Sequence, residues 1–211
     1  VKKFFNIENK KDKTIDWVKN FENSFKKITP HKYAIVINSG TSGLHTALKA
    51  IGIKKGDEVI SPGLTVVMDA FATIMCDATP VFVDVEKDSF NLDMKDLKKK
   101  VTKKTKAIMT VSLFGLPCDY DKIIKFAKRK NIIVIDDSAE TLHGLYKKKF
   151  SGSQSDIAVA RAVFVVNVGV TQRRPCNVNP GSHSIQSCKN NAPAVELPIG
   201  QAVHVVLTEP Y

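Results

Sequence analysis

The segment Asn38-Ser39-Gly40-Thr41-Ser42-Gly43-Leu44-His45 follows a short apolar run and leads into a helical pattern. Glycines at 40 and 43 permit a tight turn and close backbone approach, and a helix opening near Ser42 offers unpaired N–H groups at its positive end. Thr41 and Ser42 add hydroxyl donors at the same place. Such an arrangement holds a phosphate, and the same residue types also make an ordinary helix cap. A nucleotide P-loop is excluded, because no Gly-Lys-Ser/Thr follows at the required spacing.

A second cluster, Asp136 and Asp137, closes the apolar run Ile132-Ile133-Val134-Ile135. Four β-branched residues in succession predict a buried strand, so the two acids emerge at the carboxyl edge of a sheet, where open α/β folds bind ligands. A carboxylate there can hold a metal, act as a base or pair with a protonated ring nitrogen; capping a helix is the plain alternative. Alternation along the strand turns one acid toward the site and its neighbour away. The two clusters together suit a ligand with a phosphate at one end and a ring nitrogen at the other.

The elements that would position these clusters alternate strand with helix, which implies a mainly parallel sheet with helices on its faces. Ile15, Val18, Phe21, Phe25 and Ile28 form a helical stripe after a Thr14 cap, and residues 33–37 are a short buried strand. Helices are expected over 42–51, 65–76, 94–101 (capped by Asp93) and 121–130, with strands over 58–61, 80–85, 106–113 and 132–135. A hairpin around 146–151 and a strand over 156–160 close the unit. Residues 162–170 can supply one or two further strands, and without them an uncovered sheet edge would invite association. Beyond that, Pro175, Pro180, Pro193, Pro198 and Pro210 interrupt a sequence with no helical or alternating period.

Composition narrows the function classes. A chain of 211 residues with 43% apolar content builds a real core. The net charge of +11 comes from lysines spread over helix faces, without interleaved aromatics or a nucleic-acid module, so nucleic acid is not the expected partner. Cys76, Cys118, Cys176 and Cys188 are isolated, which suits neither a metal site nor a disulfide framework and fits a reducing cytoplasm. No apolar run approaches the ~18 residues of a membrane span and no signal peptide is legible. The chain opens on Val1 rather than Met, so a native start upstream is expected.

Charge usage divides the chain near residue 160. Of 28 lysines, 27 precede that point, whereas residues 161–211 hold four basic and two acidic side chains. The expected organisation is therefore a domain over 1–160 and a divergent tail over 161–211.

Several ordered motifs carry a family resemblance across about residues 14–160: NSGTSGLHTALKAIGIKKGDEVISPGLT, ATPVFVDVEKDSFNLD, VSLFGLPCDYDKI, IIVIDDSAETLHGLY and FSGSQSDIA. They resemble the DegT/DnrJ/EryC1/StrS group of pyridoxal-phosphate-dependent nucleotide-sugar aminotransferases. The resemblance implies a fold-type I transferase large domain and a homodimer with pyridoxal 5′-phosphate at the subunit boundary. It also implies a keto-sugar nucleotide as acceptor and glutamate or glutamine as amino donor, in polysaccharide biosynthesis. Gly40, Thr41 and Ser42 fall at the cofactor phosphate. Asp137 matches the aspartate that keeps the pyridine nitrogen protonated, a charge-assisted hydrogen bond worth roughly 1.5–3 kcal/mol. Glu140 takes the place of a Gln or Glu near the phenolic oxygen, and Val66 stands where many members stack an aromatic ring. His45 and His143 lie in apolar helical or turn contexts and are read as structural.

The resemblance also calls for a Schiff-base lysine and a phosphate-binding serine shortly after the SDIA strand. Here Ser155-Asp156-Ile157-Ala158-Val159-Ala160-Arg161-Ala162-Val163-Phe164 continues without lysine until Lys189, and no histidine substitutes. The expectation is a cofactor-binding portion without its covalent anchor, the smaller carboxy-terminal domain being absent and the sequence after Ala160 derived from a frame change or fusion. A non-catalytic phosphate-ligand or partner-binding module is the alternative.

Overall fold

The computed structural model describes residues 17–29, 31–141 and 144–160, together with the backbone of segments 163–166, 184–185 and 195–196. Helix α1 (Trp17–Ile28), strand β1 (Tyr33–Val36), α2 (Gly40–Ala50), β2 (Glu58–Pro62), α3 (Met68–Ile74), β3 (Thr79–Val83), α4 (Met94–Lys100), β4 (Thr105–Val111) and α5 (Tyr120–Lys130) follow in order. Then come β5 (Ile133–Asp137), the hairpin strands β6 (Leu145–Tyr146) and β7 (Lys149–Phe150), β8 (Ile157–Ala160) and β9 (Val163–Val166). Each expected element is present, with ends moved by a few residues. The wider differences are α3, which is confined to 68–74, and the end of the fourth strand, where Leu113–Gly115 forms a 3₁₀ turn instead.

Seven strands make one sheet in the order β1-β9-β8-β5-β4-β2-β3. The β3, β2, β4, β5 and β8 neighbours pair in parallel, while β9 runs antiparallel to both β8 and β1. Because β1 and β8 both oppose β9, they point the same way, and the carboxyl ends of β1, β2, β4, β5 and β8 share one edge. Residues 163–166 thus supply the strand that joins β1 to the rest.

Side-chain alternation sorts the core into two layers. Ile35, Ile37, Val59, Ala107, Met109, Ile135, Ile157 and Val159 pack under α2 and α3 with Leu44, Ala47, Leu48 and Ala72. Ile60, Val83, Ile108 and Val134 pack on the opposite face under α4 and α5 with Leu97, Tyr120, Ile123 and Phe126. Helix α5 ends on Asn131 in the left-handed conformation (φ 55°), a geometry asparagine tolerates, and the chain enters β5 directly.

The α1 stripe departs from expectation. Among its described side chains Phe25 is buried, against Ala34, Ala158 and Ala160, while Val18 and Phe21 are about half exposed; the Ile28 side chain is outside the described ones. Phe25 thus meets small residues of β1 and β8, and Glu22 Oε1 accepts from Val36 N at 3.0 Å. Thr14, Ile15 and His143 fall outside the described residues.

Candidate active site

Helix α2 begins at Gly40, two residues earlier than expected, and Ser39 is its cap. Ser39 has extended backbone (φ −159°, ψ 158°), and its Oγ accepts from Ser42 N at 3.2 Å. The two hydroxyls lie 3.0 Å apart. Gly43 N donates to Ser39 O. This leaves the amides of Gly40 and Thr41 as the first-turn donors that the cap does not take. Capping and an anion cradle are therefore compatible here, because the cap falls one residue ahead of the cradle.

Gly43 has a different purpose from the one expected. A Cβ at this position would stand 2.4 Å from Ile37 Cδ1 and 2.7 Å from Val159 Cγ1. The missing side chain brings α2 down onto β1 and β8, rather than bringing backbone to a ligand. Val159 is also the register partner of Asp137, so this close contact seats the start of α2 beside the end of β5.

The paired acids divide as alternation requires. Asp137 has the parity of Ile133 and Ile135 and lies on the α2/α3 face. Its Oδ1 accepts from Ala139 N at 3.0 Å, which favours the ionised form, while burial and the nearby Glu140 charge raise its pKa on balance, burial being the larger cause. Asp136 has the parity of Val134 and points into the α4/α5 layer. It is fully buried, accepts from Thr110 Oγ1 at 2.5 Å and from Ser138 Oγ, and is pushed up to about 6 by burial. Gly152 (φ +79°) passes so near that an added Cβ would meet Ser138 Oγ at 2.5 Å and Asp136 Oδ2 at 3.0 Å. Behind this acid, the hydroxyls of Ser112, Tyr120, Ser151 and Thr141 form a buried network with contacts of 2.8–3.2 Å. Asp136 is a structural acid that fixes the β5 end from below, and Asp137 lies on the opposite face of the sheet.

Glu140 is not free to move. Its Oε2 accepts from Phe114 N at 2.7 Å, clasping the 3₁₀ turn where Phe114 has φ 53° and is 77% exposed. Val66 lies between β2 and α3, half exposed. His45 lies on α2, and burial followed by the Lys49 charge lowers its pKa.

Asp69 was not among the residues singled out from sequence. It lies on α3, wholly buried, and Thr65 Oγ1 donates to its Oδ2 at 2.6 Å. The Thr65/Asp69 spacing of four residues was legible, but a polar residue early in a short helix reads as a solvated one.

The donor set fits a phosphate-bearing pyridine ring. Amides and hydroxyls stand at one helix start, and an acid with one backbone-held oxygen stands on the same face of the same sheet edge. Between Lys149 and Lys189 the sequence holds no lysine; β8 ends at Ala160 and β9 begins at Val163.

Comparison with known proteins agrees with this geometry. GDP-perosamine synthase of Caulobacter vibrioides is 46% identical over 142 residues, covering 67% of this chain and 38% of that protein. The GDP-perosamine synthase of Escherichia coli O157:H7 is 42% identical over 143 residues, covering 68% and 39%. The chain thus spans under half the length of these relatives. Among solved structures, the proposed sugar aminotransferase Spr1654 of Streptococcus pneumoniae in its pyridoxal-phosphate form superposes with a TM-score of 0.67 at 28% identity. It covers 72% of this chain and 46% of its own. Residues 8–160 match the family throughout, and the chain belongs to the DegT/DnrJ/EryC1/StrS aminotransferase family.

Proposed function

We propose that this chain is the cofactor-binding large-domain portion of a pyridoxal-phosphate-dependent aminotransferase acting on a keto-sugar nucleotide. The amino donor would be glutamate or glutamine, and the setting a reducing cytoplasm. The GDP-perosamine synthases among its relatives support a sugar nucleotide of that class. The observation that carries the reading is the placement of Asp137 and the α2 start on one face of one sheet edge, seated by Gly43 against Val159.

Gly40 and Thr41 would hold the phosphate through their amides, with Thr41 and Ser42 hydroxyls beside them. Asp137 would hold the ring nitrogen's proton, and Val66 would pack on the ring. Glu140 has Oε1 left for the phenolic side, where it and a phenolate would need to share a proton. When bound, the cofactor withdraws electrons from the substrate carbon and stores the amino group between half-reactions. Proton transfer at that carbon needs a basic group, and the two-residue β8–β9 connection offers no lysine for it. The chain as written is therefore expected to bind the cofactor reversibly without turnover, and the tail after Ala160 to stand outside the family's pattern. A homodimer would close the site, consistent with the apolar side chains that α3 leaves exposed.

Incubation with pyridoxal phosphate, with and without borohydride, followed by intact mass and absorbance, tests this. Reversible binding that is lost in Asp137→Asn and Thr41→Ala is the expected result. A borohydride-fixed adduct on a lysine together with amino transfer to a keto-sugar nucleotide would overturn the anchorless reading.

A further inference from the structure

Asp69 carries an observation that the cofactor contacts leave unexplained. Its side chain is completely withdrawn from solvent, Thr65 holds Oδ2, and Oδ1 is buried with no partner among the described residues. Thr73 Oγ1 holds the Asp69 carbonyl at 3.1 Å, so the backbone is fixed as well. A solitary buried carboxylate oxygen is unfavourable, and native interiors rarely keep one without a use.

We infer that Asp69 is a second acid of the ring-nitrogen end, a positioning residue that acts through Asp137. This rests on the cofactor reading above. Helix α3 covers the sheet face on which Asp137 lies, its Ala72 packing in one layer with Ile135. The charges that act on Asp69 come from β5, from Asp137 first and Asp136 second. On the neighbouring α2, Lys49 acts on His45 and on Cys76, and neither His45 nor Lys49 is among the groups that shift Asp69. No grouping of three or more metal-ligating side chains occurs among the described residues.

Two carboxyls that sense each other away from water do not both ionise readily. Asp137, steadied by the Ala139 amide, ionises first; burial and then the Asp137 charge push Asp69 up to about 7. A protonated ring nitrogen seated on Asp137 reverses the balance. Its positive charge lets Asp69 ionise, and the second anion then helps to keep the proton on the ring. Thr65 holds the carboxyl in place and favours its ionised form.

The test is binding of pyridoxamine 5′-phosphate, a probe that needs no lysine, to the full chain across neutral pH by calorimetry. The ligand's own titrations are common to every variant and cancel in the comparison. The Asp69 contribution is expected to raise affinity about tenfold as pH rises through ~7. Asp69→Asn keeps binding but loses that part of the rise, and Thr65→Val moves its midpoint upward. An unchanged profile in Asp69→Asn overturns the inference alone, as does an unmoved midpoint in Thr65→Val should the first variant not fold. Absence of binding by the unaltered chain at every pH overturns the cofactor reading and this inference with it.

Discussion

Thr110 and Asp136 face each other across in-register parallel strands, and Thr110 Oγ1 donates to Asp136 Oδ1 at 2.5 Å in the dry interior. The bond satisfies one side of a buried acid whose other side is held by Ser138. Thr110→Val keeps the shape and removes the donor. It is expected to lower stability by about 1–3 kcal/mol, because the acceptor stays buried without its partner. Urea unfolding monitored by circular dichroism measures this, and an unshifted midpoint would show that the bond contributes nothing.

Stability should also fall as pH rises through the weakly acidic range. Burial raises both Asp69, to about 7, and Asp136, to about 6. From about pH 4, where carboxyls of the unfolded chain ionise, up to those values, the folded chain binds more protons than the unfolded one. The contribution of each group is therefore complete below this window and is lost as pH rises through the folded pKa. For Asp69 the loss is on the order of 4 kcal/mol. Asp69→Asn mimics the protonated form, so its urea midpoint should be less sensitive between about pH 4 and 7 and higher than the parent's at the upper end. Parallel pH profiles for the two proteins would count against a buried, raised Asp69.

Gly43→Ala separates packing from ligand binding. The new methyl meets Val159, whose β-branched side chain on a central strand has little room to turn, and a loss of about 1–2 kcal/mol is expected despite alanine's better helix propensity. Trimming Val159 to Ala in the same chain should recover part of it, which a double-mutant cycle would read as a favourable coupling. Additive losses would mean that the contact is relieved elsewhere.

The order of strands and helices was legible because each apolar run has its own period and its own breaker: Lys55-Gly56-Asp57 before β2, Asn131 before β5. The separation of Asp136 from Asp137 was legible for the same reason, since a strand alternates whatever its surroundings. Less could be read where the deciding contact is distant in sequence. Nothing local shows that Gly43 meets Val159, or that Glu140 is taken by the Phe114 amide. Asp69 was missed because its burial is imposed by the sheet edge beneath α3, not by its own helix. The α1 stripe misled in the opposite sense: apolar positions at helical spacing predicted a buried face, yet of Val18, Phe21 and Phe25 only the last is buried.

The outer surface of α3 gives the last prediction. Val67, Phe71, Ile74 and Met75 are each 46–54% exposed, and Phe82 on the edge strand β3 adds 46% on the same face of the sheet. Contiguous apolar surface of this kind is a mark of association. Because α3 also carries Asp69 and follows Val66, a partner seated there would cover the approach to the site as well as the patch. Phe71→Lys with Ile74→Lys leaves the core residues Ala72 and Thr73 untouched. Sedimentation velocity should show the parent chain self-associating with concentration and the double variant shifted toward monomer, with far-UV circular dichroism unchanged. A parent chain that stays monomeric over the whole concentration range would remove this face as a self-association surface.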